Sequence, residues 1–189
     1  MRKVILIKHA SPLVIPGTPP EKWKLSDKGR ESCGPLAEAL RPHAPKIIVA
    51  SEEPKARETA EILGQKLGVA VETAAGLHEH DRSNVPHMRS GEFISHMEVF
   101  FRKPTERVLG RESAVAALDR FESAVNAVIA AHPGDGNIAI VSHGTVIALL
   151  AAEHSDRYGF ELWREMGLPS LVVMELPGME VTEVVAKVV

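Results

Sequence analysis

Short unbroken apolar runs alternate with longer stretches of helical periodicity along this chain. Val4-Ile5-Leu6-Ile7, flanked by Lys3 and Lys8, reads as a buried strand over 3–8, being β-branched and too short for a helix. Residues 11–25 read as a long loop punctuated by Pro12, Pro16, Gly17, Pro19 and Pro20. Ser26 or Asp27 is placed to cap a helix running to about Leu40, with Leu36 and Leu40 on one face, and Pro42 and Pro45 end it. A second strand is expected over 46–50. Ser51 then looks like an N-cap, with Glu52 and Glu53 in the first turn of a helix that Gly68 terminates. A short strand follows over 69–72.

Residues 75–111 have the weakest periodicity and form an excursion with one helix near 90–102, expected to contribute one or two of its basic and aromatic side chains, Arg82 among the candidates, to the substrate pocket. The clearest helix spans 112–131, with Val115, Leu118, Phe121, Val125, Val128 and Ile129 on one stripe. A strand over 137–142, a helix over 144–153 and strands near 170–176 and 181–188 complete the pattern. Alternating strands and helices predict an α/β fold: a three-layer sandwich with a mostly parallel central sheet and helices on both faces. With no internal repeat, linker or low-complexity tract, residues 1–189 are expected to form a single domain.

Two of the apolar runs end on histidine: strand 3–8 runs into His9-Ala10, and Asn137-Ile138-Ala139-Ile140-Val141 runs into Ser142-His143-Gly144. Ligands bind outside the carboxyl ends of strands in open α/β sheets, so the two imidazoles are expected to share a pocket. Lys8 beside His9 favours an anion there.

Composition adjusts this picture only slightly. The 189 residues suffice for one domain with a sizeable core, and 44% hydrophobic with 25% charged is ordinary for a globular protein. A net charge of −3 argues against non-specific nucleic-acid binding. Cys33 is the one cysteine, which excludes an intramolecular disulfide and fits a reducing compartment. Arg2-Lys3 precedes an apolar stretch too short for a signal peptide, and no segment approaches membrane-spanning length. The expected location is cytoplasmic.

Four groups fall at or just after strand ends: Lys8-His9, Arg57, Glu79 and His143. Two imidazoles, two cations and a carboxylate suit phosphoryl transfer. The cations offset the charge spread over the phosphoryl oxygens, a neutral imidazole attacks phosphorus, and a carboxyl group serves the leaving oxygen. Fixed cations supply the electrostatic contribution, so neither a cofactor nor a metal is expected.

These residues also carry a resemblance. Leu6-Ile7-Lys8-His9-Ala10 is similar to the apolar strand and Arg-His-Gly that open the histidine phosphatase superfamily, which includes phosphoglycerate mutases. Leu25-Ser26-Asp27-Lys28-Gly29-Arg30 is similar to its Leu-Thr-x-x-Gly-x helix start. Ala50-Ser51 with Arg57 and Thr59-Ala60 resembles its Ser-x-x-x-Arg-x-x-x-Thr-Ala segment, the Ser-to-Arg spacing stretched. Leu77-x-Glu79 matches its general-acid segment, and Val141-Ser142-His143-Gly144 its second histidine motif. The resemblance implies a phosphoglycerate mutase-like fold and a phosphatase acting on phosphate monoesters. It makes His9 the phosphorylated nucleophile, Lys8, Arg57 and His143 phosphate ligands, and Glu79 the proton donor, with Asp81 an alternative. The implied partner is a small phosphorylated substrate or a phosphoprotein, not nucleic acid or a membrane. Lys8 stands where the family has arginine and Ala10 where it has glycine. Lysine keeps the charge but loses the planar fork. A phosphate-binding scaffold of the same fold, a mutase, and a metal-dependent hydrolase using His78, His80, His87 and His96 are the rival readings.

Overall fold

The computed structural model describes residues 1–86 and 88–188. Six strands form one sheet: β1 (Lys3–Lys8), β2 (Ile47–Ser51), β3 (Val71–Ala74), β4 (Ile138–Ser142), β5 (Ser170–Glu175) and β6 (Glu180–Val185). Their order is β3-β2-β4-β1-β5-β6. The first four are parallel, and β5 and β6 add an antiparallel edge. This is the mostly parallel sheet that the alternating pattern predicts. β4 lies between β2 and β1, so the ends of those three strands adjoin.

Alternation along β1 divides the core. Ile5 and Ile7 face helices α1 (Asp27–Leu40) and α2 (Pro54–Leu67), packing with Leu36, Leu40 and Leu63. Val4 and Leu6 face the opposite layer of α3 (Ser90–Arg102), α4 (Ala114–Ala131), α5 (Gly144–Glu153) and α6 (Gly159–Glu165). Each fully buried aliphatic side chain here contributes about 1.5–3 kcal/mol relative to exposure. Ser26 caps α1, its hydroxyl accepting from the Gly29 N–H at 3.0 Å. Gly29 itself has no room for a side chain: a Cβ there would lie 2.1 Å from the Ser11 carbonyl oxygen.

Several local expectations shift. β2 continues through Ser51 because its ladder with β3 extends to the Ser51–Ala74 pair, so α2 starts at Pro54 with Glu53 at the cap position. β3 starts at Val71, two residues late, because the Val69 N–H is used to close α2 on the Gly64 carbonyl. On α4, Val115 faces out at 39% exposure, while Ala114, Ala117 and Ala124 join Phe121, Val125 and Val128 inside. The rest of the expected stripe holds, with Leu118 and Ile129 half-buried against the same core. α6 had no predicted counterpart: its seven residues are too few for a periodic signal. Among the described residues no helix is long and apolar enough to cross a membrane.

Candidate active site

His9 and His143 follow paired ends of neighbouring strands. Lys8 of β1 stands opposite Ser142 of β4, and the His9 N–H donates to the Ser142 carbonyl at 3.0 Å. The two rings meet edge to face with centroids 5.2 Å apart, and both line a cavity of about 600 Å³.

His9 Nδ1 lies 2.7 Å from the Ala10 carbonyl oxygen. That oxygen only accepts, so Nδ1 carries the proton and Nε2 keeps its lone pair. Burial, reinforced by His143, pushes the His9 pKa well below that of a free imidazole, so the ring is neutral at physiological pH. Ala10 is not among the residues with positive φ, so the Cβ that replaces the family's glycine imposes no backbone strain. Its N–H donates to Thr59 Oγ1 at 3.1 Å, and that hydroxyl donates onward to the Lys55 carbonyl at 2.8 Å. The turn after His9 is thereby tied to α2.

His143 is fully buried, and burial lowers its pKa to about 3. Its Nε2 is 3.0 Å from Ser51 Oγ and 3.4 Å from Glu53 Oε1. Nδ1 has no hydrogen-bond partner among the described residues, so the proton sits on Nε2, which has Ser51 Oγ within reach. Ser51, expected to cap a helix, is a partner of this ring.

Lys55 is 6% exposed, and its ammonium group donates to the Glu53 carboxylate and to the Pro20 carbonyl. The backbone N–H of Glu79 donates to Glu53 Oε1 at 3.0 Å. Two donors from two segments therefore converge on one carboxylate inside the cavity, with His143 Nε2 3.4 Å from it.

The Glu79 carboxylate accepts from the His80 N–H at 2.8 Å and the Thr145 N–H at 3.2 Å, and Arg82 stands 3.8 Å away. Burial alone would raise its pKa, but Arg82 and the two N–H donors outweigh it, and the group is held down to about 2. Neutral His143 adds little at physiological pH. Arg120 of α4 braces this loop, donating to the carbonyls of Gly76, His78 and Glu79 and to Glu112. Glu112 in turn accepts from the Asp81 N–H at 3.0 Å.

A model of the histidine phosphatase superfamily (branch 1) matches residues 19–185. The chain belongs to this superfamily. Glucosyl-3-phosphoglycerate phosphatase of Mycolicibacterium vanbaalenii is 28% identical over 171 residues, 80% of this chain and 73% of that protein. The Mycobacterium tuberculosis enzyme of the same name is 27% identical over 146 residues, covering 68% of this chain and 63% of the relative. Among solved structures, mycobacterial glucosyl-3-phosphoglycerate phosphatase complexed with VO3 aligns over 98% of this chain and 99% of its own, with TM-score 0.78 and 21% identity. An Entamoeba histolytica phosphoserine phosphatase aligns over 99% of this chain and 98% of its own, with TM-score 0.76 and 15% identity. The phosphoglycerate mutase-like α/β fold follows.

Against the superfamily pattern, the sequence expectation for the second cation needs correction. The Arg57 side chain is 53% exposed and pairs with Glu61 on the outside of α2. Lys55 takes the inward place. It lies four residues after Ser51 and four before Thr59, so the family spacing is met without stretching, with lysine in place of arginine. Arg57 is the arginine of this segment, but two residues along a helix put it on another face from Lys55.

Lys8 Nζ donates to the Met166 carbonyl at 2.7 Å, and its stem passes over Gly144, where an added Cβ would lie 2.9 Å from Lys8 Cε. Burial lowers the Lys8 pKa. The cations that line the cavity are Lys55 and Arg82. His9, His143 and Glu79 are brought together as the sequence predicts, whereas Asp81 bonds Ser83 at the cavity rim.

Of the histidines of the metal reading, His78 and His80 line the cavity and His96 lies away from it on α3. His80 bonds the Glu112 carbonyl and packs on Phe100, and His96 bonds the Glu92 carbonyl on an exposed face. His87 lies outside the described residues. No three potential ligands cluster among the described residues. Glu53 and Arg120 have no role assigned from sequence, whereas Arg82 of the 75–111 excursion lines the cavity. Glu53 carried one usable signal, a carboxylate two residues before a buried lysine in the Ser51–Thr59 segment.

Proposed function

We propose that this protein is a phosphatase that hydrolyses phosphate monoesters through a phosphohistidine at His9. One observation carries the reading: His9 Nδ1 is committed to the Ala10 carbonyl, which leaves a neutral Nε2 nucleophile beside His143 in the cavity. Nε2 attacks phosphorus, and the ester P–O bond breaks. Lys55 and the Nε2–H of His143 hold the phosphoryl oxygens. The leaving oxygen takes a proton from the Glu79 carboxyl group. Water then attacks phosphorus, Glu79 takes its proton, and the P–N bond breaks. Glu79 is ionised in the free protein, so it takes the proton of the first step from the bound substrate monoanion before passing it to the leaving oxygen.

The names of the relatives support a phosphorylated sugar acid as one substrate class, with other small phosphate esters and phosphoproteins as alternatives. Binding of phosphate without turnover is a second reading, favoured by the engagement of Lys8 with Met166 and by lysine at position 55. A labelled aryl phosphate, rapidly quenched, decides between them. The wild type is expected to carry label on His9, and His9→Ala to carry none and turn over nothing. Full turnover by His9→Ala refutes the mechanism, and unlabelled wild type without product formation establishes the binding reading.

A further inference from the structure

We infer that Glu53 is an internal carboxylate that occupies the phosphate subsite and sets the protein's affinity for phosphate, a reading that deepens the function proposed above. Groups that line the subsite already face Glu53: the Lys55 ammonium and the Glu79 N–H at 3.0 Å donate to it, and His143 Nε2 stands 3.4 Å away. The Glu53 side chain is only 12% exposed, although it is carried on a segment that borders solvent. It stands at the cap position of α2, where a short polar side chain would ordinarily bond back to the helix, yet it makes no capping bond. Its carboxylate is spent on the cavity. A phosphate dianion and this carboxylate cannot share Lys55 and His143 without strong like-charge repulsion. Substrate therefore binds only the fraction of molecules in which Glu53 has swung towards the open mouth, and apparent affinity is reduced by that fraction. With one molecule in ten open, the penalty is about tenfold.

Isothermal titration of the full chain with orthovanadate and with inorganic phosphate tests this. Glu53→Gln and Glu53→Ala are both expected to bind each anion at least tenfold more tightly than wild type. Glu61→Gln removes the same charge from the exposed face of α2 and is expected to bind as wild type does. Equal or weaker binding by both Glu53 variants overturns the inference, as does tightening of the same size in Glu61→Gln, or no binding in any form. Failure of the phosphatase reading is separable. Tighter binding in the Glu53 variants without labelling of His9 leaves the inference standing and removes the mechanism. Labelling of His9 with unchanged anion affinity does the reverse.

Discussion

Exchanging the two basic residues of α2 in turn separates the cation that meets substrate from the one that does not. Lys55 is 6% exposed in the cavity wall, and Arg57, two residues on, has a side chain 53% exposed. Unit charges about 4 Å apart at an effective dielectric near 20 attract by about 4 kcal/mol. A phosphoryl group carries about two charges, which doubles that figure, and the lost solvation of a buried ammonium takes back roughly half. About 3–4 kcal/mol of transition-state stabilisation remains, a factor of 10² to 10³ in kcat/KM. Because Lys55 also neutralises Glu53, Lys55→Met alone would leave a buried carboxylate unpaired. The comparison belongs in a Glu53→Gln background. Steady-state hydrolysis of an aryl phosphate is expected to show kcat/KM down at least 100-fold for Lys55→Met and within twofold for Arg57→Ala. Loss of activity in Arg57→Ala equal to that in Lys55→Met, or a fall of less than fivefold in the latter, refutes the placement of Lys55 at the phosphoryl group.

Protonation gives a second expectation. With Glu79 held down to about 2, the one proton shared by substrate and acid sits on the substrate in solution, whose second pKa is about 6. His143, lowered to about 3, and His9, pushed well below 6.5, both stay neutral through mildly acidic pH. The logarithm of kcat/KM is expected to be level below about pH 6 and to fall with unit slope above it; a profile level to pH 8 contradicts this ordering. Arg120→Met is expected to lower stability by about 2–4 kcal/mol in urea unfolding, since it strips charge-assisted bonds from three carbonyls and one carboxylate. It also frees the Glu79 loop, so kcat should fall about tenfold with KM little moved; a stability loss with kcat unchanged means that the brace serves folding only.

The layers of the fold were legible because β1, β2 and β4 are buried on both faces and read as continuous apolar runs, as in Val4–Ile7 and Ile138–Val141, while β3 at the edge is not. The two histidines were legible for the same reason: a polar side chain that ends such a run has one place to go, the carboxyl edge of the sheet. Positions around them depend on helix phase and loop path, which leave weaker marks. Whether Lys55 or Arg57 turns inward depends on α2 starting at Pro54, and that start depends on a strand pairing, Ser51 with Ala74, invisible in the local sequence. Arg120 is 41 residues from Glu79 and reaches it only through tertiary packing.

Lysine at position 55 and glutamate at position 53 make sense together. A guanidinium has a planar fork suited to two oxygens of one anion, whereas an ammonium has three rotatable donors that divide among separate acceptors. Lys55 divides its donors in this way, between the Glu53 carboxylate and the Pro20 carbonyl. The same group thus closes the 11–25 loop over the site and holds an internal anion in it. Lys8 is drawn off to Met166, so the guanidinium left at the cavity is that of Arg82, which lies against Glu79 and over the Phe93 ring. Each cation that lines the cavity therefore rests against a carboxylate, Lys55 against Glu53 and Arg82 against Glu79. An incoming phosphate gains only the difference between its own attraction and theirs. Such a site is selective against weak anions: chloride or a single carboxylate offers no more charge than the groups already present, and a phosphate ester that has given its proton to Glu79 offers twice as much.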